Sequence, residues 1–142
     1  MIRHALILDD DPLVLSLLQG FLGRRGYEVS TFSNPSTCPL YNGGPCPCPL
    51  QGGCPDVIVT DFEMPFANGV EFIERIKQKH CKCLNILLIS GYSTNPLDLR
   101  RALEHGVTFL AKPFHLDQLH FWLDKVESLG GSVLQPSFAV AV

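Results

Sequence analysis

Short apolar runs alternate along this chain with segments of helical periodicity, and this alternation restricts the fold more than any other feature. Five runs have the length and apolar content of strands: Ala5–Leu8, Tyr27–Phe32, Val57–Val59, Asn85–Ser90 and Val107–Ala111. Four segments carry apolar residues at helical spacing: Pro12–Arg25, Val70–Lys79, Pro96–Glu104 and Leu116–Leu129. Strands that alternate with helices predict an α/β fold with a parallel sheet and right-handed crossovers.

Capping residues mark where two of the predicted helices begin. Asp11 precedes Pro12 and Asn95 precedes Pro96, and each pair suits an N-cap followed by the first helical residue. Asn68–Gly69 is instead interpreted as a turn dipeptide before the second helix. The spacing in the first helix predicts a buried face made of Leu13, Leu17, Leu18, Phe21 and Leu22.

Residues 34–55 occupy the place where the alternation predicts another helix, but their composition is unsuited to one. The segment contains six prolines and four glycines. A proline inside a helix costs about 3 kcal/mol. We therefore expect an irregular or metal-bound loop within a single domain of residues 1–130, followed by a short tail of residues 131–142.

The composition argues against several functional classes. The net charge is −3 and the isoelectric point is about 5.9, so no basic stripe is available for direct binding of nucleic acid. The longest apolar runs are far shorter than the ~20 residues needed to span a bilayer. The amino terminus does not resemble a signal peptide, so we expect a cytoplasmic protein. Six cysteines in such a chain favour metal or redox chemistry over structural disulfides.

Four of the five predicted strands end in a residue capable of chemistry. Asp9 and Asp10 follow the first strand, Asp61 the third, Ser90 ends the fourth, and Lys112 follows the fifth. The carboxyl ends of parallel strands share one edge of the sheet, where open α/β folds bind ligands. Individually, Ser90 also fits a solvated strand end, Lys112 a surface lysine, and the first acids a helix N-terminus. Together they predict a site of phosphoryl transfer.

Each residue of this group has a definite expected role. Asp61 is the nucleophile that accepts the phosphoryl group. Asp10, Asp61 and a water molecule held by Asp9 are the expected ligands of a Mg²⁺ ion. This ion binds proteins through one or two carboxylates and keeps several of its waters. The ammonium group of Lys112 offsets charge on the phosphoryl oxygens. The hydroxyl group of Ser90 is expected to move toward the transferred phosphoryl group.

The motifs that surround these residues resemble those of the receiver domains of bacterial two-component response regulators. The resemblance covers residues 4 to about 129 and is carried by four ordered stretches: 6–12, 55–65 with Gly69, 86–90 and 109–114. It implies a flavodoxin-like three-layer sandwich whose five-stranded parallel sheet has the order 2-1-3-4-5. The second helix of that family is replaced here by the Cys/Pro/Gly-rich loop.

The resemblance also implies partners and further site residues. The backbone carbonyl of Glu63 would join Asp9, Asp10 and Asp61 at the Mg²⁺ ion, and Ser90 with Phe109 would report phosphorylation by a coupled shift. The phosphoryl donor would be a sensor histidine kinase or a histidine phosphotransfer protein. The signal would pass to a separate effector protein, and the chain would not be an enzyme beyond its own phosphotransfer and dephosphorylation.

The cysteines predict a second metal site, at the opposite edge of the sheet. Cys54 precedes the third strand, and Cys81 and Cys83 precede the fourth, so these three residues should converge. Cys46 and Cys48 lie in the loop leading to Cys54 and would complete a zinc site. Cys38 and His80 are reserve ligands. An iron–sulfur cluster, disulfides and free thiols are the alternatives.

Two other functions fit parts of the pattern. Asp9 and Asp11 match the D-x-D of haloacid-dehalogenase-type phosphatases, in which Asp9 would be the nucleophile and Asp61 would have no role. A receiver fold that senses a metal or redox state without being phosphorylated is the other alternative. Identifying the aspartate that becomes phosphorylated, together with the metal content, separates these functions.

Overall fold

The computed structural model describes residues 3–42, 53–91, 95–129 and 137–138, the last pair by backbone alone. The strands are β1 Arg3–Leu8, β2 Tyr27–Phe32, β3 Val57–Asp61, β4 Ile86–Ser90, β5 Thr108–Ala111 and β6 Ser137–Phe138. The helices are α1 Pro12–Arg24, α2 Gly69–Gln78, α3 Pro96–Glu104 and α4 Leu116–Ser128. None of these described helices has the length and apolarity to cross a membrane.

The strands form one parallel sheet in the order β2-β1-β3-β4-β5-β6. The first five strands therefore confirm the predicted order and the flavodoxin-like fold. The sixth strand was not predicted, and it adds Ser137 and Phe138 to the edge of β5, beside Thr108 and Phe109. The tail thus contributes backbone to the sheet.

Side chains alternate between the two faces of the sheet and form two apolar cores. Leu6, Ile58 and Leu88 belong to the core beneath α2 and α3. Ile7 and Val59 belong to the core beneath α1 and α4. Successive residues of a strand point to opposite faces, so strands buried on both sides need continuous apolar runs. The arrangement is the predicted three-layer sandwich.

The buried face of α1 differs from the predicted one. Leu18, Phe21 and Leu22 are buried as expected, but Leu13 and Leu17 are 80% and 43% exposed. The helix presents only one stripe to the sheet, and residues on the outer side of that stripe stay in solvent even when they are apolar. The prediction for Leu13 and Leu17 was therefore wrong.

The connection between β2 and β3 is described only in part. A 3₁₀ turn spans Pro35–Thr37, and the Asn34 side chain caps it by accepting from the Ser36 N–H. Residues 43–52, with Cys46 and Cys48, lie outside the described residues. The predicted loop in place of a helix, and the division of the chain at residue 130, stay predictions.

Candidate functional site

Three carboxylates meet at the carboxyl ends of β1 and β3. Asp9, Asp10 and Asp61 each place one oxygen within 4.8 Å of the others. Asp9 and Asp61 are buried, whereas Asp10 is exposed. The structure therefore brings together the three acids predicted to hold the cation and accept the phosphoryl group.

The backbone and the first turn of α1 hold Asp9 in place. Its N–H donates to the carbonyl of Phe32 at 3.1 Å, and its Oδ1 accepts from the N–H of Asp11 at 2.8 Å. Asp11 in turn caps α1, because its Oδ1 accepts from the Leu13 N–H at 2.9 Å. The predicted capping role of Asp11 is confirmed.

A glycine behind Asp61 fixes how the chain leaves β3. The Gly69 N–H donates to the carbonyl of Phe62 at 2.8 Å, which folds the loop back onto the strand. A Cβ atom on Gly69 would collide with the Asp61 carbonyl oxygen and would lie 2.7 Å from Leu88 Cδ1. Only glycine fits this approach without a shift of the backbone.

Asn68 caps α2 and Gly69 begins it, so the two residues are a helix start rather than a turn, which corrects the sequence interpretation. Asn68 is the N-cap and Gly69 is the first helical residue. The Asn68 Oδ1 accepts from the Glu71 N–H at 2.8 Å, and Glu71 Oε1 accepts from the Asn68 N–H at 3.0 Å. Asparagine with glutamate three residues later was the available signal for this capping box.

Lys112 supplies the cation of the site. Its Nζ lies 3.0 Å from Asp61 Oδ1 and 4.0 Å from Asp9 Oδ2. Its backbone N–H donates to the Ser90 carbonyl at 2.8 Å, so the end of β5 is fixed against the end of β4. The ammonium group therefore belongs to the carboxylate cluster and is not an isolated surface cation.

Burial and the charges of neighbouring side chains shift the pKa values of Asp9, Asp61 and Lys112. Burial raises the pKa of Asp9 from 3.8 to about 6, an effect that the Asp11 N–H opposes and the Asp61 charge reinforces. Burial also raises the pKa of Asp61, although its hydrogen bond from Lys112 counteracts part of the rise. Burial alone would lower the pKa of Lys112, but the three neighbouring carboxylates, Asp61 above all, outweigh it and raise that pKa.

The donor set fits a magnesium ion. Within the part of the chain that the structure describes, Asp9 Oδ2 is buried and accepts no hydrogen bond. The Lys112 Nζ lies 4.0 Å from this oxygen and offsets only part of its negative charge. Hard oxygen ligands around a buried, unsatisfied carboxylate oxygen suit Mg²⁺. The backbone carbonyl of Glu63 is the other predicted ligand. Glu63 is exposed and lies in the loop after β3, two residues beyond Asp61.

The two predicted switch residues lie on neighbouring strands. Ser90 is the last residue of β4 and is 8% exposed, while Phe109 on β5 is 2% exposed. Phe109 pairs with Leu88, two residues before Ser90. The aromatic ring belongs to the core beneath α2 and α3, while Ser90 stands at the end of the sheet near Lys112.

Three of the predicted thiol ligands lie at the other end of the sheet. Cys81 and Cys83 are buried and Cys54 is half-buried. Cys54 Sγ accepts a hydrogen bond from the Lys82 N–H at 3.2 Å, so the two segments are in contact. Cys38 is buried in the loop after β2.

The parallel sheet, with three acids and a lysine at the carboxyl ends of its strands, places the chain in the class of flavodoxin-like α/β domains. Residues 5–124 match the family model of the response regulator receiver domain, so the chain belongs to that family. The family includes regulators of two-component signal transduction, the class expected from the sequence motifs.

Individual relatives agree with this assignment. The chain is 34% identical over 114 residues to the DNA-binding transcriptional regulator NtrC of Azospirillum brasilense, covering 80% of this chain and 22% of that protein. It is 29% identical to the transcriptional regulatory protein FixJ of Bradyrhizobium diazoefficiens over 82% of this chain and 52% of that one. The chain thus spans between about a fifth and a half of these relatives.

Solved structures show the same architecture. The chemotaxis response regulator CheY4 of Vibrio cholerae aligns with a TM-score of 0.66 and 26% identity, over 89% of this chain and 99% of that one. The signal receiver domain of an HD domain-containing protein from Pseudomonas fluorescens Pf-5 aligns with a TM-score of 0.73 and 17% identity over 91% and 97%. The second likeness supports the fold alone.

Proposed function

We propose that the chain accepts a phosphoryl group on Asp61 from a histidine kinase or histidine phosphotransfer protein, with Mg²⁺ bound at the neighbouring carboxylates. The observation that carries this proposal is the contact of 3.0 Å between Lys112 Nζ and Asp61 Oδ1, beside Asp9 and Asp10. A nucleophile, a cation and a carboxylate site for a divalent ion are the parts that phosphoryl transfer to an aspartate requires.

The proposed reaction exchanges one phosphorus bond for another. An Asp61 oxygen attacks the phosphorus of the phosphohistidine, the phosphorus–nitrogen bond breaks, and the imidazole leaves with the electron pair and takes up a proton. When bound, Mg²⁺ would neutralise negative charge on the phosphoryl oxygens and on the carboxylates Asp9, Asp10 and Asp61. Lys112 moves from its contact with Asp61 to a phosphoryl oxygen, which keeps the site close to neutral.

The surface around β5 is the proposed output of the signal. The Ser90 hydroxyl would turn toward the new phosphoryl group, and Phe109 would move into the space it vacates. Phe109 lies on β5 in the core beneath α2 and α3, and Ser90 ends the neighbouring strand β4. The surface formed by α3, β5 and α4 is the proposed contact for a downstream effector protein. Since β6 already pairs with β5 beside Phe109, the proposed effector meets an edge that the tail partly covers.

The proposed protein is a signalling switch and not an enzyme with an external substrate. Asp9 is less suited than Asp61 to receive the phosphoryl group, because its Oδ1 accepts from the Asp11 N–H and because Lys112, which would offset charge on the phosphoryl oxygens, lies nearer to Asp61. These contacts favour the receiver function over the phosphatase alternative. A cytoplasmic location, in which the donor and the effector are met, completes the proposal.

The test is phosphorylation by a small donor. Acetyl phosphate with Mg²⁺ should add the mass of one phosphoryl group to the intact protein, and chelation with EDTA should prevent it. Asp61→Asn should stay unmodified, while Asp56→Asn, an exposed aspartate at the opposite edge, serves as the matched control and should react like the wild type. Unchanged labelling of the Asp61→Asn variant would refute the proposal.

A further inference from the structure

Three cysteine side chains gather at the amino-terminal edge of the sheet, at the end opposite to the carboxylates. Cys54 stands before β3, and Cys81 and Cys83 stand before β4. These two strands pair directly, with Ile58 beside Ile86. Cys81 and Cys83 are 7% and 2% exposed, while Cys54 is half-buried and keeps a route to solvent.

One backbone hydrogen bond and the electrostatics of Cys83 link the three thiols. The backbone N–H of Lys82, the residue between two of the cysteines, donates to Cys54 Sγ at 3.2 Å. Burial raises the pKa of the Cys83 thiol to about 12, and the charges of Cys81 and Cys54 add to this rise. Cys54 and Cys81 are therefore close enough to Cys83 to affect its ionisation.

The path of the chain after α2 turns these thiols inward. His80 adopts a left-handed conformation with φ of 64°, which lets the Cys81 N–H reach the Ile76 carbonyl at 3.0 Å. The next residues alternate, so Cys83 is buried while Leu84 is 40% exposed. The backbone path therefore directs the Cys83 side chain, rather than that of the neighbouring Leu84, into the core.

We propose that Cys54, Cys81 and Cys83 form a structural site for Zn²⁺ that joins the starts of β3 and β4. Thiolates are preferred ligands of zinc, and structural sites commonly have three or four of them. Three thiolates around a divalent cation leave one negative charge, which the Lys77 ammonium offsets: its Nζ lies 3.1 Å from the Cys83 carbonyl. The N–H donor to Cys54 Sγ stabilises the thiolate in the same way.

Side chains must rotate for the ion to bind. Of all the acids, histidines and cysteines that the structure describes, only Asp9, Asp10 and Asp61 already place their ligand atoms within 4.8 Å of one another. At least one pair of the three sulfur atoms is therefore more than 4.8 Å apart, which is farther than in a zinc-bound site. Half-buried Cys54 can turn most freely toward the other two, and a further donor completes the tetrahedron.

Metal content and ligand counting test the site. The full chain, purified without chelator, should contain one zinc ion per molecule. Replacement of zinc by Co²⁺ should give thiolate-to-cobalt charge-transfer absorption that corresponds to at least three sulfurs. Cys54→Ala, Cys81→Ala and Cys83→Ala should each lower the affinity for added Zn²⁺ at least tenfold. Leu84→Ala, which removes an exposed side chain beside Cys83 that carries no ligand atom, is the matched control and should bind as the wild type does.

Alkylation of the unmutated protein keeps the test independent of folding in the variants. Iodoacetamide labelling followed by peptide mapping should show that added Zn²⁺ slows modification of Cys54, Cys81 and Cys83. Equal labelling rates with and without zinc would overturn the proposal. Full zinc content in the triple alanine variant, or a cobalt spectrum without thiolate bands, would overturn it too. None of these readouts depends on phosphorylation of Asp61.

Discussion

Replacing Asp9 by asparagine should stabilise the metal-free protein at neutral pH. The rise of the Asp9 pKa from 3.8 to about 6 means that the ionised form disfavours the folded state. At 1.36 kcal/mol per pKa unit this rise corresponds to about 3 kcal/mol. Asparagine removes the charge and keeps an oxygen for the Asp11 N–H bond. Burying the new amide N–H groups costs about 1 kcal/mol, so the expected net gain is about 2 kcal/mol.

The stability gained by the Asp9→Asn variant should increase as the pH rises. Between pH 4 and pH 6 the folded state holds the Asp9 proton more firmly than the unfolded state, so this residue makes stability fall as pH rises. Below about pH 4 the carboxyl is protonated in both states, and the asparagine variant should have no advantage. Above about pH 7 the advantage should be complete.

Urea denaturation in EDTA, followed at pH 4.5 and pH 7.5, measures this effect. Asp10→Asn is the control, because that carboxylate is exposed and its replacement should change stability less. Adding Mg²⁺ should raise the stability of the wild type more than that of the Asp9→Asn variant, since a bound ion stabilises the folded state through its affinity. A variant that is destabilised at pH 7.5, or equally stabilised at both pH values, would refute the reasoning.

The remaining predictions concern the residues around the acceptor. Gly69→Ala should lower the free energy of unfolding by about 1–3 kcal/mol through overpacking, whereas Gly23→Ala, with open space around it, should raise it by about 0.5–1 kcal/mol in the same urea titration. Lys112→Met should bind Mg²⁺ at least as tightly as the wild type, because its ammonium competes for Asp61; weaker binding by isothermal calorimetry would contradict this. Phe109→Leu should retain phosphorylation but lose the phosphorylation-dependent NMR shifts around β5, and loss of phosphorylation itself would count against a relay role.

The five-stranded sheet and the edge that holds the candidate site were predictable from local patterns. Strands buried on both faces leave continuous apolar runs, and a polar residue at or just after the end of four of these runs belongs to the candidate site, as Asp61 and Lys112 do. Parallel topology then brings those ends together without any knowledge of side-chain contacts. The grouping of Asp9, Asp10 and Asp61 follows from this logic.

Other features depend on tertiary contacts that local patterns do not contain. The strand β6 is two residues long and lies in a tail without periodicity, so only its pairing with β5 defines it. Leu13 looks like a core residue by spacing but lies beyond the stripe that α1 turns to the sheet. The need for glycine at position 69 comes from the approach of Asp61, a contact made only in the folded chain.

Locating the phosphoryl group on a single aspartate tests the central proposal most directly. After reaction with acetyl phosphate and Mg²⁺, reduction with borohydride converts the phosphorylated aspartate to homoserine, which peptide mass spectrometry then locates. We predict that the modification lies at Asp61 and that Asp9 and Asp10 stay unmodified. Homoserine at Asp9 would contradict the proposal and would favour the phosphatase alternative instead.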